Sequence, residues 1–292
     1  MTRWSWAIYP HPMNTPWPRF PHSNAVRVND HETLLSELST GSADESPAII
    51  FVHSALLDRH AWYRTMHEIA GRLSIAGQSF TLDAYDLRGH GAASGESIVS
   101  IDQLAHDLLA VCSQLTTKPV HVVGLSLGGA VAQAAALDSP ERITSLALLG
   151  TSSRFPKAAM YDRAARGRAD GVAGQVDDTL SRWVSDPAAD DQVNAYIRHA
   201  LARTTPERWA QTWEALGRFD VADLLPGLRC PVLALAGTRD VASPPEALEL
   251  IAKSVPDGTV EYLDAAHLSA LERPSEVAVH VTNHLLRASG HG

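Results

Sequence analysis

Val120–Gly129 reads VHVVGLSLGG, a short apolar run that passes through Gly-x-Ser-x-Gly (Gly124, Ser126, Gly128) into the Ala-rich stretch Gly129–Leu137. A strand that runs so directly into a helix needs a tight turn with strained backbone angles. It also needs small neighbours, because a β-carbon at Gly124 or Gly128 would collide with the adjoining strand and helix. Such a turn lifts the Ser126 hydroxyl above the sheet and aims the N-terminus of the following helix at negative charge developing there. A glycine-rich turn that only packs helix on strand would account for the glycines but not for the serine. The stretch predicts a nucleophilic serine at a strand–helix junction.

Working outward, the same grammar recurs. Ala48–His53 (AIIFVH), Ser79–Tyr85 (SFTLDAY), Ile143–Leu149 (ITSLALL), Pro231–Ala236 (PVLALA) and Thr259–Leu263 (TVEYL) are short apolar runs. Segments of helical periodicity such as Ile101–Leu115 separate them. Buried parallel strands look like this in sequence, and the alternation predicts an α/β fold: a mostly parallel, doubly wound sheet covered on both faces. One segment breaks the alternation. From about Ser152 to about Leu216 there is no strand-like run, and the text reads as several helices. This predicts a helical lid, residues 152–216, inserted between two strands over the carboxyl edge of the sheet, where ligands bind. The core then comprises residues 25–151 and 217–292, and residues 1–24 form a Pro/Trp-rich extension whose aromatics are expected to pack onto the rest.

A serine nucleophile needs a base within hydrogen-bond reach and a carboxylate to hold that base's tautomer. In an arrangement of this kind the chain order is nucleophile, acid, histidine. Among 14 histidines, His267 stands out by position, in the loop DAAHLSALERP after the last strand-like run. His121, inside the strand before Ser126, reads as a buried, hydrogen-bonded core residue. His11, His22, His280, His284 and His291 lie near the termini and read as solvated. Asp240 closes the strand PVLALAGTRD and is the expected acid, with Asp264 as competitor. The turn after Leu149 reads GTSS and offers no acid. The oxyanion hole is expected to use the backbone N–H groups of Leu127, directly after the serine, and Ala55, in the loop His53–Leu56.

Composition narrows the partners. The 292 residues carry 24 Lys and Arg against 33 Asp and Glu, a formal charge of −9, which disfavours a wrapped nucleic-acid backbone. Cys112 and Cys230 are far apart and each lies in an apolar stretch, so they form neither a disulfide framework nor a metal pattern. The N-terminus lacks the form of a signal peptide and no stretch approaches a membrane span. The expectation is a soluble, cytoplasmic enzyme acting on a small molecule without a metal or organic cofactor. Composition leaves the oligomeric state open.

These pieces together resemble the α/β-hydrolase superfamily from about Ala48 to about Leu286. Asp86–Gly95 (DLRGHGAASG) is similar to its D-x-R-G-H-G-x-S loop, and GLSLGG, GTRD and AAHLSALERP are similar to its three catalytic blocks. Where most members have His-Gly, this chain has His53-Ser54-Ala55, which resembles the Asn-Ser-Leu of the 3-oxoadipate enol-lactonases. Tyr161–Gly171 (YDRAARGRADG), followed by Arg182-Trp183, resembles the lid pattern of that subfamily, as does Trp209–Asp220 (WAQTWEALGRFD). Against it stand Tyr161 in place of tryptophan, Ala55 in place of leucine, and the long N-terminal extension. The resemblance implies hydrolysis of a lactone or ester of a small carboxylated molecule, with Ser54, Tyr161, Arg163, Arg182, Trp183 and Trp213 contacting substrate. The alternatives are a carboxylesterase, a C–C bond hydrolase or a cofactor-free haloperoxidase-like enzyme with the same triad. A non-hydrolytic ligand-binding or biosynthetic protein of the same fold is the reading from another class.

The lid carries an independent hint. Arg154, Lys157, Arg163, Arg166 and Arg168 face a single acid, Asp162, within Arg154–Arg168. Such a patch on an acidic chain either orients a carboxylate substrate, with Arg163 and Arg182 the best single candidates, or forms a solvated helix face.

Overall fold

The computed structural model describes residues 16–40, 46–95, 97–189 and 191–290. Among the described residues eight strands form one sheet: β1 (Asn24–Val28), β2 (His31–Ser39), β3 (Ala48–Val52), β4 (Thr81–Tyr85), β5 (Val120–Leu125), β6 (Ile143–Leu149), β7 (Val232–Gly237) and β8 (Gly258–Leu263). Their spatial order is β1-β2-β4-β3-β5-β6-β7-β8. From β4 to β8 every pair is parallel, while β1–β2 and β2–β4 are antiparallel. The parallel strands are those that read as continuous apolar runs, and β3 to β7 are buried along their whole length but for the half-buried Thr144 of β6. The two antiparallel strands at the β1 side of the sheet do not announce themselves that way. In β2 (HETLLSELS) buried and solvent-facing residues largely alternate, and β1 is mostly exposed. A half-buried antiparallel edge carries period two rather than an unbroken apolar run.

The helices are α1 (Tyr63–Ile75), α2 (Ile101–Leu115), α3 (Leu127–Asp138), α4 (Lys157–Asp170), α5 (Val176–Trp183), α6 (Gln192–Ala202), α7 (Pro206–Arg218), α8 (Pro245–Ser254), the single turn α9 (Ser269–Glu272) and α10 (Pro274–Ala288). In the core, α1 packs on α10, α2 on α3, and α8 on β7 and β8. Local chemistry sets the helix starts. The Ser100 hydroxyl accepts the Gln103 N–H at the start of α2, and Thr205 with Pro206 opens α7 in the same manner. Along α10, Val277, Val281 and His284 fall on one apolar face, so His284 is buried rather than solvated. Burial pushes its pKa down to about 4. His22 is exposed, whereas His11 and His291 lie outside the described residues. His121 is buried and bonds through Nδ1 to the Ser145 hydroxyl at 2.8 Å.

Helices α4–α7 form the lid between β6 and β7. Its tightest pair is α4 on α7, where a β-carbon at Gly167 would overlap the Trp209 indole. Trp209 Nε1 donates to the Arg163 carbonyl at 2.7 Å. The bonds that dock the lid on the core include Tyr196 hydroxyl to Asp58 (2.7 Å), Leu268 N–H to the Trp183 carbonyl (3.0 Å) and Ser185 N–H to Glu272 (2.7 Å). The described part of the N-terminal extension also packs down. Trp17 is buried, stacks on Tyr196 and donates to the His60 carbonyl, and buried Phe20 lies against His60 and Tyr63. Among the described residues no helix is long and apolar enough to cross a membrane.

Candidate active site

Ser126 follows β5, Asp240 follows β7, His267 follows β8 and Ala55 follows β3, so the carboxyl ends of neighbouring strands bring them together. Ser126 adopts φ 55° and ψ −113°, a conformation that costs energy for any residue with a β-carbon. The surroundings hold it there. Its N–H donates to the Leu149 carbonyl at 2.8 Å, and its carbonyl accepts the Thr151 hydroxyl at 2.7 Å. A β-carbon at Gly124 would overlap the Gly128 backbone, and one at Gly128 would overlap the end of β3 at Val52. The two glycines are thus spacers between strand and helix.

His267 Nε2 lies 2.8 Å from Ser126 Oγ, and its Nδ1 lies 2.9 Å from Asp240 Oδ2. The second oxygen of Asp240 accepts the N–H groups of Ala242 and Ser243, each at 2.8 Å, which fixes the carboxylate plane. All three side chains are buried. With Asp240 accepting from Nδ1–H, the neutral imidazole presents the lone pair of Nε2 to the serine hydroxyl. Asp264 takes no part: its side chain is exposed and pairs with Arg239 at 2.8 Å. Among the described residues neither the Leu127 nor the Ala55 N–H donates to a backbone or side-chain acceptor. Leu127 is the first residue of α3, where N–H groups have no partner within the helix. In the loop after β3, Ser54 needs no unusual angle. The left-handed residue is Leu56, at φ 62°, and His53 braces the turn through Nδ1 to the Ser54 carbonyl and Nε2 to the Leu87 N–H.

Of the residues expected to touch substrate, Trp183 adjoins the site, with its ring centroid 6.3 Å from that of His267. Ser54 is buried and its hydroxyl has no partner. Arg163 is buried inside the lid. It donates to Asp178 at 3.3 Å and to the Thr179 hydroxyl at 3.1 Å, and its guanidinium lies over the rings of Trp213 and Trp209. Tyr161 is exposed on α4, and its hydroxyl accepts from Arg218. Arg182 is part-exposed and sits 3.9 Å from Asp178. Arg154, Arg166 and Arg168 pair with Asp220, Asp162 and Glu207. Most of the basic stretch is therefore answered by acids of the lid and its flank that lie distant in sequence, and it is not an open cationic face.

Gly150 and Thr151 also shape the site, Gly150 by leaving room beside His267 and Asp240 and Thr151 by its bond to the Ser126 carbonyl. Both belong to the GTSS turn, which in sequence stands out only for offering no acid; a glycine directly after a strand at the carboxyl edge is the signal that marks it. Cys112 and Cys230 are buried, and desolvation pushes their thiols up to about 12 and about 11, so both stay protonated.

Strand order, the strained strand–helix turn at Ser126 and the inserted lid together define an α/β-hydrolase fold. The sequence pattern of the alpha/beta hydrolase family matches residues 49–280, and the chain belongs to that family. It is 28% identical to 3-oxoadipate enol-lactonase 2 of Acinetobacter baylyi, over 83% of this chain and 90% of the relative. It is 29% identical to a pimeloyl-[acyl-carrier protein] methyl ester esterase of Chromobacterium violaceum, over 82% of this chain and 95% of that protein. The crystal structure of an enol-lactonase from Burkholderia xenovorans LB400 superposes with a TM-score of 0.82 at 27% identity, covering 90% of this chain and 99% of the other.

Proposed function

We propose that the protein is a serine hydrolase that opens a lactone or ester of a small carboxylated molecule through an acyl-enzyme. One observation carries this reading: the unbroken line from Asp240 through His267 to Ser126, beside two N–H groups that lack acceptors. Ser126 Oγ attacks the acyl carbon as its proton passes to His267 Nε2, and the imidazolium is stabilised by Asp240. The N–H groups of Leu127 and Ala55 receive the oxyanion, and the positive end of α3 adds to their effect. Collapse of the tetrahedral adduct expels the alcohol or enol oxygen, which takes the proton from His267. In a lactone this leaving group stays tethered to the acyl chain. Water then gives a proton to His267 and attacks the acyl carbon, and the departing Ser126 oxygen recovers that proton. The carboxylic acid leaves.

Substrate choice is assigned to the lid, residues 152–216, with Trp183 beside His267 and the part-exposed Arg182 as the candidate for a substrate carboxylate. The similarity to an enol-lactonase supports a lactone. The similarity to a methyl ester esterase favours an open-chain ester as the second reading. A panel of enol-lactones, simple lactones and methyl esters, assayed with wild type and Ser126→Ala, tests both. The expected result is turnover by wild type alone, highest on a carboxylated enol-lactone, and fluorophosphonate labelling that disappears in the variant. Undiminished turnover by Ser126→Ala would remove the serine from the mechanism.

A further inference from the structure

A cavity of about 440 Å³ lies between the amino-terminal segment, the turns after β3 and β4, and the corner joining α6 to α7. Ser126, Asp240 and His267 do not line it. Leu56 and Leu57, which do, are buried in the turn that follows Ala55 and separate it from the proposed oxyanion loop.

Its charge is unlike that of the rest of the molecule. The chain is acidic overall, and Arg154, Arg163, Arg166, Arg168, Arg182 and Arg198 of the lid region each face a carboxylate. Arg19, Arg203 and Arg208 line the cavity and form no ion pair among the described residues. Arg59 lines it too, but Asp86 answers it at 2.6 Å. The remaining acid, Asp58, is held by the Tyr196 hydroxyl and the His60 N–H. Histidines aside, the four arginines of the lining, set against Asp58 and against the Asp86 that answers Arg59 from outside it, leave two positive charges in excess.

Two polar atoms on this lining are buried without partners: Nη1 of Arg208 and Nε2 of His90. A β-carbon at Gly89, whose φ is 69°, would overlap the Arg208 guanidinium, so the glycine makes room for the cation at the wall. Burial, and next the neighbouring Arg88, hold the Arg208 pKa below its ordinary value, which is the situation an anion relieves. His90 is neutral, because burial pushes its pKa down to about 3. Its Nδ1 donates to the Arg88 carbonyl at 3.0 Å, so the orphaned Nε2 is an acceptor and suits a hydroxyl.

We propose that this cavity is a second binding site, distinct from Ser126, for a small hydroxylated dianion held by Arg19, Arg203 and Arg208. Two net charges match a dianion, and the volume is that of a site for a whole small molecule. A hydroxydicarboxylate and a phosphate monoester share this chemistry. The ligand joins the amino-terminal segment, the lid and the turn after β4, so its binding clamps the lid to the core.

Calorimetric titration and thermal melting of the full chain with tartrate, succinate and glycerol phosphate, at fixed ionic strength, test the site. Tartrate or glycerol phosphate is expected to bind and raise the melting temperature, and tartrate to bind more tightly than succinate. The Kd should rise at least tenfold in Arg203→Gln and in Arg208→Gln. Arg203 is exposed and unpaired, so its variant keeps the test valid if Arg208→Gln folds poorly. Arg229→Gln removes the same charge from an exposed position outside the cavity and should bind as wild type. Ser126→Ala should also bind as wild type, so failure of the hydrolase reading and failure of this one are separable. No binding by any dianion, an equal loss in Arg229→Gln, or protection of Ser126 from fluorophosphonate by the dianion would overturn the proposal. Equal affinity for tartrate and succinate would overturn the assigned role of His90.

Discussion

Gly150 stands directly behind His267: a β-carbon on it would lie 2.8 Å from the His267 carbonyl oxygen and 3.3 Å from Nδ1. The same atom would lie 3.2 Å from Asp240 Oδ2, and Gly150 itself has φ 48°. Absence of a side chain at the end of β6 is therefore a condition for His267 to meet Asp240. Gly150→Ala is expected to cost about 1–2 kcal/mol of stability from the left-handed backbone alone. Displacement of the imidazole should lower kcat at least tenfold and leave KM nearly unchanged. Urea unfolding and steady-state kinetics on one preparation check both, and a wild-type kcat would show that the contact is harmless.

Asp240 and Asp264 flank the same histidine in sequence terms but differ in surroundings. Asp240→Asn should lower kcat by about 10³-fold or more, since the amide no longer secures the tautomer that presents Nε2 to Ser126. Asp264→Asn breaks only an exposed pair with Arg239 and should change kcat less than twofold. The reverse ranking in a side-by-side assay would reassign the acid.

Arg163 and Arg182 should separate into a structural and a substrate-directed residue. Arg163→Met removes a cation seated over two indoles and bonded to Thr179 and Asp178, and is expected to cost about 2 kcal/mol of stability. Its effect on the ratio of charged to neutral substrate should be small. Arg182→Met should reduce that ratio by about tenfold, the worth of one charge-assisted bond, while neutral esters react as before. A ratio unchanged by Arg182→Met would place the carboxylate elsewhere.

Asp83 in β4 should give the protein an inverted pH dependence over part of the acid range. Desolvation, and next the Glu37 charge, push its carboxyl up to about 7. Between its ordinary 3.8 and that value, the unfolded chain has released a proton that the folded chain keeps, so this residue makes stability fall as pH rises. Buried His121 and His284, held down to about 4, act in the opposite sense: unfolding allows protonation below pH 6.5, so stability falls as pH drops from 6.5 towards 4. Relative to wild type, Asp83→Asn should gain stability progressively from about pH 4 to pH 7 and hold a constant advantage above it. Denaturant melts at unit pH intervals measure this, and parallel curves for the two proteins would contradict it.

What the linear order of residues determined was local. Gly124, Ser126 and Gly128 between an apolar run and an Ala-rich segment specify a strained strand–helix turn, because backbone sterics within a few residues decide such a turn. Unbroken apolar runs specify buried parallel strands, and their loss after Ser152 marks the helical insertion. The antiparallel strands β1 and β2 escaped that reading because one of their faces meets solvent.

Tertiary structure decided everything that depends on which strand ends and helices become neighbours. Asp264 is three residues from His267 in the chain and Asp240 is twenty-seven, yet Asp240 holds the imidazole because β7 and β8 lie side by side and the turn after β7 points back across the gap. The lid arginines read as a cationic patch until folding supplied Asp178, Glu207 and Asp220 from distant positions. Conversely, Arg19, Arg203 and Arg208 are unremarkable in sequence and meet around one cavity only when the amino-terminal segment and the lid pack on the same turns. Electrostatic pairing depends on distances through space, and a pattern of near neighbours along the chain does not encode them.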